Sequence, residues 1–486
     1  MPNLGCETPI HAHKIIERQE HTEIKRKDTK NRQMKQFEQY KRLIKLGFAL
    51  ILIALLTGLY GAIWINWYNK IIWAPFFRRG NWMMIFIYGL LLIFFMQLYG
   101  GFKIALLKRG NLIYSQILAV VFTNIITYFQ ISVQDKKFTT PLPLAVNLVG
   151  AVIIILVWTM TFLWLYRGMF PPRKLLLISG DHSDYHLIEK MNAREDKYII
   201  SQIISYREGP ERVKAEIAKY DSVIVGDIPA HERNYIIKYC FGQNIRTYSV
   251  PKISDILLRS SVELNLFDSP LLLSRNNQGL QIEQAVMKRI IDVIGSLVGI
   301  VITIPIFLIV AICIKMTDGG SVIYKQTRLT KNGKEFEIYK FRTMVQNAEA
   351  DGKARLASEG DPRILPIGRV LRATRLDELP QIYNILKGDM SIVGPRPERP
   401  ELAAELEKEI PEFSFRLQVK AGLTGYAQVY GKYNTTPYDK LKLDLTYIRN
   451  YSVLEDLKLI IMTPKIMLMK ESTEGVKEEQ EPTNGK

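Results

Sequence analysis

The sequence predicts three parts: an α-helical four-helix membrane anchor, a Rossmann-like α/β domain, and an α-rich, membrane-associated carboxyl-terminal domain holding a fifth apolar helix. Three observations carry this reading. Hydrophobic residues make up 48% of the 486 residues and charged ones 23%, yet the two are segregated, with apolar residues gathered in five long runs. Between the fourth and fifth runs, short strand-like segments alternate with helical stretches, the pattern of a parallel sheet. After the fifth run, short elements mix arginine and lysine with branched aliphatic residues.

Residues 1–45 form a basic tail, with Lys25, Arg26, Lys27, Lys41, Arg42 and Lys45. The first long apolar run comes only after it, so an anchor is expected rather than a cleaved leader. Four apolar segments follow at about 46–68, 83–106, 111–133 and 143–166, each near the ~20 residues that cross a bilayer. They are nearly free of charge, which separates them from buried core helices. The basic tail and Arg167, Arg173 and Lys174 fall on one side if the helices number four, and charge bias puts that side inside. Lys70, Arg78 and Arg79 in the first loop oppose this weakly.

Residues 173–275 read as the α/β module. "KLLLISG", "YIISQIIS", "DSVIVGD" and "IRTYSV" are its strands. The first is followed by "SGDHSD", not GxGxxG, so a dinucleotide site is not supported. His182 and His186 stand four apart, a spacing more common on ordinary helix faces than at metal sites. Cys6, Cys240 and Cys313 are far apart and give neither a disulfide framework nor a thiolate zinc site.

The fifth run, about 290–314, has basic residues on both sides and Pro305 well inside it. Proline removes a backbone donor and breaks helices. A kinked spanning helix and a re-entrant one that turns at Pro305 are both physically allowed. Basic flanks oppose translocation and favour the second. Beyond it, "RILPIGRVLRATRL" and "EDLKLIIMTPKIMLMK" fit either a membrane surface or an ordinary core, and 471–486 reads as a disordered tail.

The net charge of +17 calls for anionic partners: phosphates, nucleic acid or an anionic membrane face. All six histidines precede residue 232, so chemistry in the second half must proceed without imidazole. There, "RLDELPQ" places Asp377 beside Glu378. Asp377 is a good N-cap for a helix through "ELPQIYNILKG", with Pro380 in its first turn and Gly388 as its stop. Arg372 stands five residues before Asp377, Arg396 lies between prolines in "VGPRP", and Lys340 and Arg342 lie in "YKFRTM". Arginines suit bidentate phosphate contacts, and a carboxylate among them suggests phosphoryl chemistry with a metal ion. Spacing alone leaves that reading and a capped helix amid solvated charges both open.

"KRIIDVIGSLVGIVITIPIF", "YKFRTM", "DPRILPIGRVLRATRLDELPQIYNILKGDMSIVGPRPE", "KAGLTGYAQVYGK" and "LDLTYIRNYSVLEDLKLI" resemble, in the same order over about 284–470, the bacterial sugar transferase family of monotopic polyprenyl-phosphate phosphoglycosyl transferases. The layout ahead of them is similar to the larger undecaprenyl-phosphate hexose phosphotransferases. The resemblance implies transfer of a sugar-1-phosphate from a UDP-sugar, with UDP-glucose or UDP-galactose favoured, to undecaprenyl phosphate. UMP is released in a ping-pong reaction at the cytoplasmic face of the bacterial cell membrane, in exopolysaccharide, capsule or O-antigen-type synthesis. It implies Asp377 as nucleophile, Glu378 as its partner acid, and Mg2+ beside both. Arg372, Arg396, Arg342 and Lys340 would hold phosphate, Asp389 and Gln428 would support, and Pro305 would break a re-entrant helix. No nucleic acid is implied, and a homodimer fits the large anchor.

Three positions depart from the family pattern: Ile304 precedes Pro305 where serine is common, Ala421 replaces proline in "AGLTG", and Arg375 replaces a small hydroxyl residue. Two other readings stand beside the transferase. One is a membrane-bound UDP-sugar phosphodiesterase; the other is a non-catalytic receptor or scaffold, against which the intact motifs argue.

Overall fold

The computed structural model describes residues 39–180, 185–192, 194, 196–266, 268–274, 279–345, 361, 363–431 and 435–467. Most of the basic tail, all of 471–486, His182 and the side chain of His186 lie outside the described residues. The chain divides into two compact units, 1–250 and 251–486. It is helix-rich, and among the described residues five helices are long and apolar enough to cross a membrane.

In the first unit these are α1 (Gln39–Ile71), α2 (Arg79–Tyr99), α3 (Arg109–Gln134) and α4 (Leu142–Met169). Helix α2 ends earlier than the apolar run suggests, because Gly100 adopts a left-handed φ of +78° and stops it. Buried aromatic and polar side chains tie the helices together. Tyr60 stacks on Tyr88 with ring centroids 3.9 Å apart. Asn147 Nδ2 donates to Tyr88 Oη at 2.9 Å and to Asn124 Oδ1 at 3.0 Å. Phe86, Phe94, Val149, Ile153 and Trp164 point outward and are exposed, as lipid-facing residues would be.

The same unit holds a four-stranded parallel sheet of β1 (Arg173–Ser179), β2 (Tyr198–Ser205), β3 (Ser222–Val225) and β4 (Arg246–Ser249), in the order β2-β1-β3-β4. Helices α5 (Tyr185–Asn192), α6 (Pro210–Ile217) and α7 (Ala230–Gly242) connect the strands. The parallel-sheet reading of the strand pattern is thus met, with the flavodoxin-like strand order. Gly180 ends β1 where a Cβ would lie 2.1 Å from the Asp227 carbonyl oxygen.

The module ends sooner than the boundary at 275 read from the sequence. Helix α8 (Ile253–Arg259) and the hairpin β5 (Val262–Leu266)–β6 (Ser269–Leu273) belong to the second unit. Ile253 and Ile256 pack into a core with Val393, Leu441, Leu445 and Leu459. A strand-like pattern cannot show this, since an antiparallel hairpin and a sheet edge have the same period.

Helix α9 runs without interruption from Ile282 to Asp318, with Pro305 inside it. Its first turns are tied down by polar contacts. Lys288 Nζ pairs with Asp456 at 2.6 Å and meets Tyr447 Oη at 3.0 Å, while Asp292 Oδ1 accepts from Ser391 Oγ and the Ile392 amide. Its last turns are tied down too: Val310 and Ile314 pack with Phe341 and Leu371, and Asp318 pairs with Arg342. Between these anchors, Val298, Val301, Ile302, Ile304, Leu308 and Ile309 are exposed.

The remainder supplies the platform. Strands β7 (Ile323–Leu329) and β8 (Glu335–Phe341) form a hairpin, followed by α10 (Pro366–Thr374), α11 (Gln381–Lys387) and β9 (Ser391–Val393). Then come α12 (Pro400–Glu409), β10 (Gly422–Thr424), α13 (Tyr426–Tyr430), α14 (Pro437–Arg449) and α15 (Val453–Met467). Leu459 and Met462 of α15 are buried in the core, so the described part of the "EDLKLIIMTPKIMLMK" stretch, 455–467, takes the core reading over the surface one. In α10, Leu371 is buried while Val370 is exposed.

Candidate active site

Three elements converge on the acid pair. Helix α10 ends at Thr374, and Arg375 takes a left-handed φ of +56°, a costly backbone for a non-glycine residue. This swings the chain into a single 3-10 turn, Leu376–Glu378. Helix α11 starts only at Gln381, with Pro380 at its N-cap and no side-chain capping bond. Asp377 therefore does not cap the helix as expected from the sequence. The proline sets the start, and the Asp377 carboxylate is left for other work. Gly388 ends α11 with φ +102°, as predicted.

Glu378 Oε1 accepts from Arg396 Nη2 at 2.9 Å and from Lys340 Nζ at 3.4 Å. Burial opposes its ionisation, but Arg396, Lys340 and Arg375 outweigh this and hold the carboxyl well below the usual range. Asp377 moves the other way: burial first, and the Glu378 charge second, push it up, with Lys340, Arg372 and Arg396 opposing. Two adjacent carboxyls thus have opposed tendencies, a common mark of divided roles. Burial also lowers Lys340.

Arg372 is aimed by Thr343, whose Oγ1 accepts from its Nε at 2.9 Å. Lys340 is aimed through Asn384, a fully buried side chain that accepts from the Tyr339 amide at 3.0 Å and donates to the Glu337 carbonyl at 2.7 Å, pinning β8 to α11. Sequence reading missed both Thr343 and Asn384; only the FRTM match gave a hint of the first. The backbone carrying Arg396 is fixed by two further arginines: Arg328 Nη1 donates to the Pro397 carbonyl at 3.1 Å, and Arg416 Nη2 to the Arg396 carbonyl at 3.0 Å.

Not every expected residue joins this cluster. Arg342 is engaged by Asp318 and donates through Nε to the Ser321 carbonyl at 2.6 Å, so it clamps the end of α9 instead of facing the acids. Asp389 lies past the far end of α11, paired with Lys387 at 3.0 Å. Its carbonyl accepts from Thr330 Oγ1, which in turn accepts from the Ala421 amide at 3.2 Å. A proline at 421 would have no such donor, which gives Ala421 a local reason. Gln428 sits on α13 with both amide atoms buried and without a hydrogen-bond partner among the described residues.

The acid pair is flanked by cations of the kind that suit phosphate, and among the described residues five helices are apolar enough to cross a membrane. The bacterial sugar transferase family matches residues 283–470, and the chain belongs to it. Over 264 residues it is 34% identical to a UDP-N-acetylgalactosamine-undecaprenyl-phosphate N-acetylgalactosaminephosphotransferase of Aeromonas hydrophila, covering 51% of this chain and 59% of that one. It is 37% identical to an undecaprenyl-phosphate galactose phosphotransferase of Salmonella typhimurium, over 38% and 41% of the two chains. It is also 37% identical to a UDP-glucose:undecaprenyl-phosphate glucose-1-phosphate transferase of Caulobacter vibrioides, over 37% and 69%. The chain spans about half the length of the first curated relatives it matches.

Proposed function

We propose that this chain transfers a hexose-1-phosphate from a UDP-sugar to undecaprenyl phosphate, releasing UMP, at the cytoplasmic face of a bacterial membrane. The observation that carries the reading is the acid pair: Glu378 held ionised by Arg396 and Lys340, beside an Asp377 that caps no helix.

Asp377 attacks the β-phosphorus of the donor. The bond from that phosphorus to the bridging oxygen breaks, and UMP leaves with the electron pair. An oxygen of the lipid phosphate then attacks the same phosphorus and displaces the Asp377 carboxylate, giving the lipid diphosphate-linked sugar. Both nucleophiles are already ionised, so no base is required, consistent with the lack of histidine beyond residue 231. Arg396, Lys340 and Arg372 offset the charge of two anionic substrates.

Among the described residues no group of three or more acidic, histidine or cysteine side chains is placed to hold a metal. Magnesium needs no such cage; one or two carboxylates completed by substrate phosphates and water suffice, and Asp377 and Glu378 fit that donor set. Bound magnesium would supply charge neutralisation on the diphosphate.

We read α9 as re-entrant, and its anchors support this reading. A straight helix from Asp292 to Asp318 would run about 39 Å, more than the ~30 Å hydrocarbon core. Crossing would put the two anchors on opposite sides of the membrane, yet both hold the same unit. A bend of the continuous helix at Pro305, in place of the break expected from the sequence, would reconcile them. A cysteine placed at residue 320 should resist impermeant reagents in intact cells; labelling there would mean that α9 crosses.

The deciding experiment is UMP release across a panel of UDP-sugars with and without undecaprenyl phosphate. Lipid-dependent release supports the transferase. Release that ignores the lipid would make the chain a phosphodiesterase.

A further inference from the structure

A cavity of about 160 Å³ lies on the far side of Arg396 from Glu378, its walls including Arg396, Glu398, Ala404, Phe413, Ser414 and Arg416. Arg396 belongs to both places: it lines the cavity while its guanidinium holds Glu378. Arg416 is only 5% exposed. It pairs with Asp444 at 2.8 Å and lies 3.6 Å from Glu398, which fixes its guanidinium at the cavity wall.

The cavity is too small for a polyprenyl chain and is walled mainly by carbon from proline, alanine, leucine and phenylalanine. A hexose, with a hydroxyl on nearly every carbon, would find few partners there. A flat heteroaromatic ring with a polar edge suits it better. Uracil presents two carbonyl acceptors around an N–H donor. Arg416 and Ser414 offer donors, and Glu398 offers an acceptor.

We propose that this cavity receives the uracil of the donor nucleotide, so that UMP lies on the Arg396 side of the acid pair. The inference rests on the transferase reading and adds where the leaving nucleotide binds and why it is a uridine nucleotide. Cytosine has an acceptor where uracil has its N–H, and would set it against Glu398.

The test uses the full chain in detergent or nanodiscs, with UMP as probe. Ala404 is exposed on α12, so Ala404→Phe fills the cavity without repacking a core; Ala404→Leu carries the same test should the larger residue unfold the protein. UMP affinity should fall at least tenfold, and the KM for the UDP-sugar should rise in step. Discharge of preformed phosphosugar enzyme by undecaprenyl phosphate should be unchanged, since the base has already left. Glu398→Gln should narrow the preference for UMP over CMP. If folded Ala404→Phe binds UMP like the parent and still turns over, the cavity is not the base site while the transferase reading stands. If no UDP-sugar yields UMP in the parent, the transferase reading falls and this inference with it.

Discussion

The first four apolar helices and the fifth have similar composition but are held in different ways. In α1–α4, between 28% and 50% of each helix's most apolar window is buried, against 11% in α9. Helices α2, α3 and α4 satisfy one another through Tyr88, Asn124 and Asn147, and Tyr60 of α1 stacks on Tyr88. Helix α9 is gripped at its two ends by charged residues of the unit that carries the acid pair, and is bare between them. Length and hydropathy alone put all five in one class; what each end touches separates them.

The contrast is sharpest for the chemistry. Asp377→Asn should cut UMP release by roughly 10³-fold or more and abolish the covalent phosphosugar adduct, seen by mass spectrometry of the intact chain. An active variant would remove Asp377 as nucleophile. The next largest effect tests the grip on α9. Lys288→Ala leaves Asp456 buried without its cation and should cost about 3–5 kcal/mol, read as lowered thermal stability of the second unit. A neutral result would mean that the apolar contacts of α9 suffice.

The acid limb of the rate profile comes third. Asp377 must be ionised to attack, and its pKa is raised by burial and then by Glu378. The rate should therefore fall off at a higher pH than an ordinary aspartate would give. Glu378→Gln removes the like charge, so the limb should move to lower pH, measured on residual turnover normalised to its plateau. The smallest effect belongs to the bundle. Asn147→Ala breaks a polar knot in an apolar surrounding and should cost about 0.6 kcal/mol, at most about 1.7, with UMP release unchanged. A loss comparable to that of Lys288→Ala would erase the contrast.

Periodicity and composition determined a good deal alone. Apolar runs of bilayer length can only be helices, because lipid offers no partner for backbone groups, and strand–helix alternation forces a parallel sheet. The same logic placed Gly388 at the end of α11. The acid pair with Arg372, Arg396 and Lys340 was legible because the motifs keep them in fixed order. The tertiary structure decided the rest, where contacts join residues far apart in the chain. Asn384 holding β8, Arg328 and Arg416 holding the Arg396 loop, and Arg342 turned toward Asp318 leave no local periodic trace. Nor does the boundary at 250, since it depends on which core Ile253 and Ile256 enter. Asp377 shows the division well: its sequence neighbours allow a helix cap, and only the backbone turn at Arg375 and the start of α11 at Gln381 release it from that role.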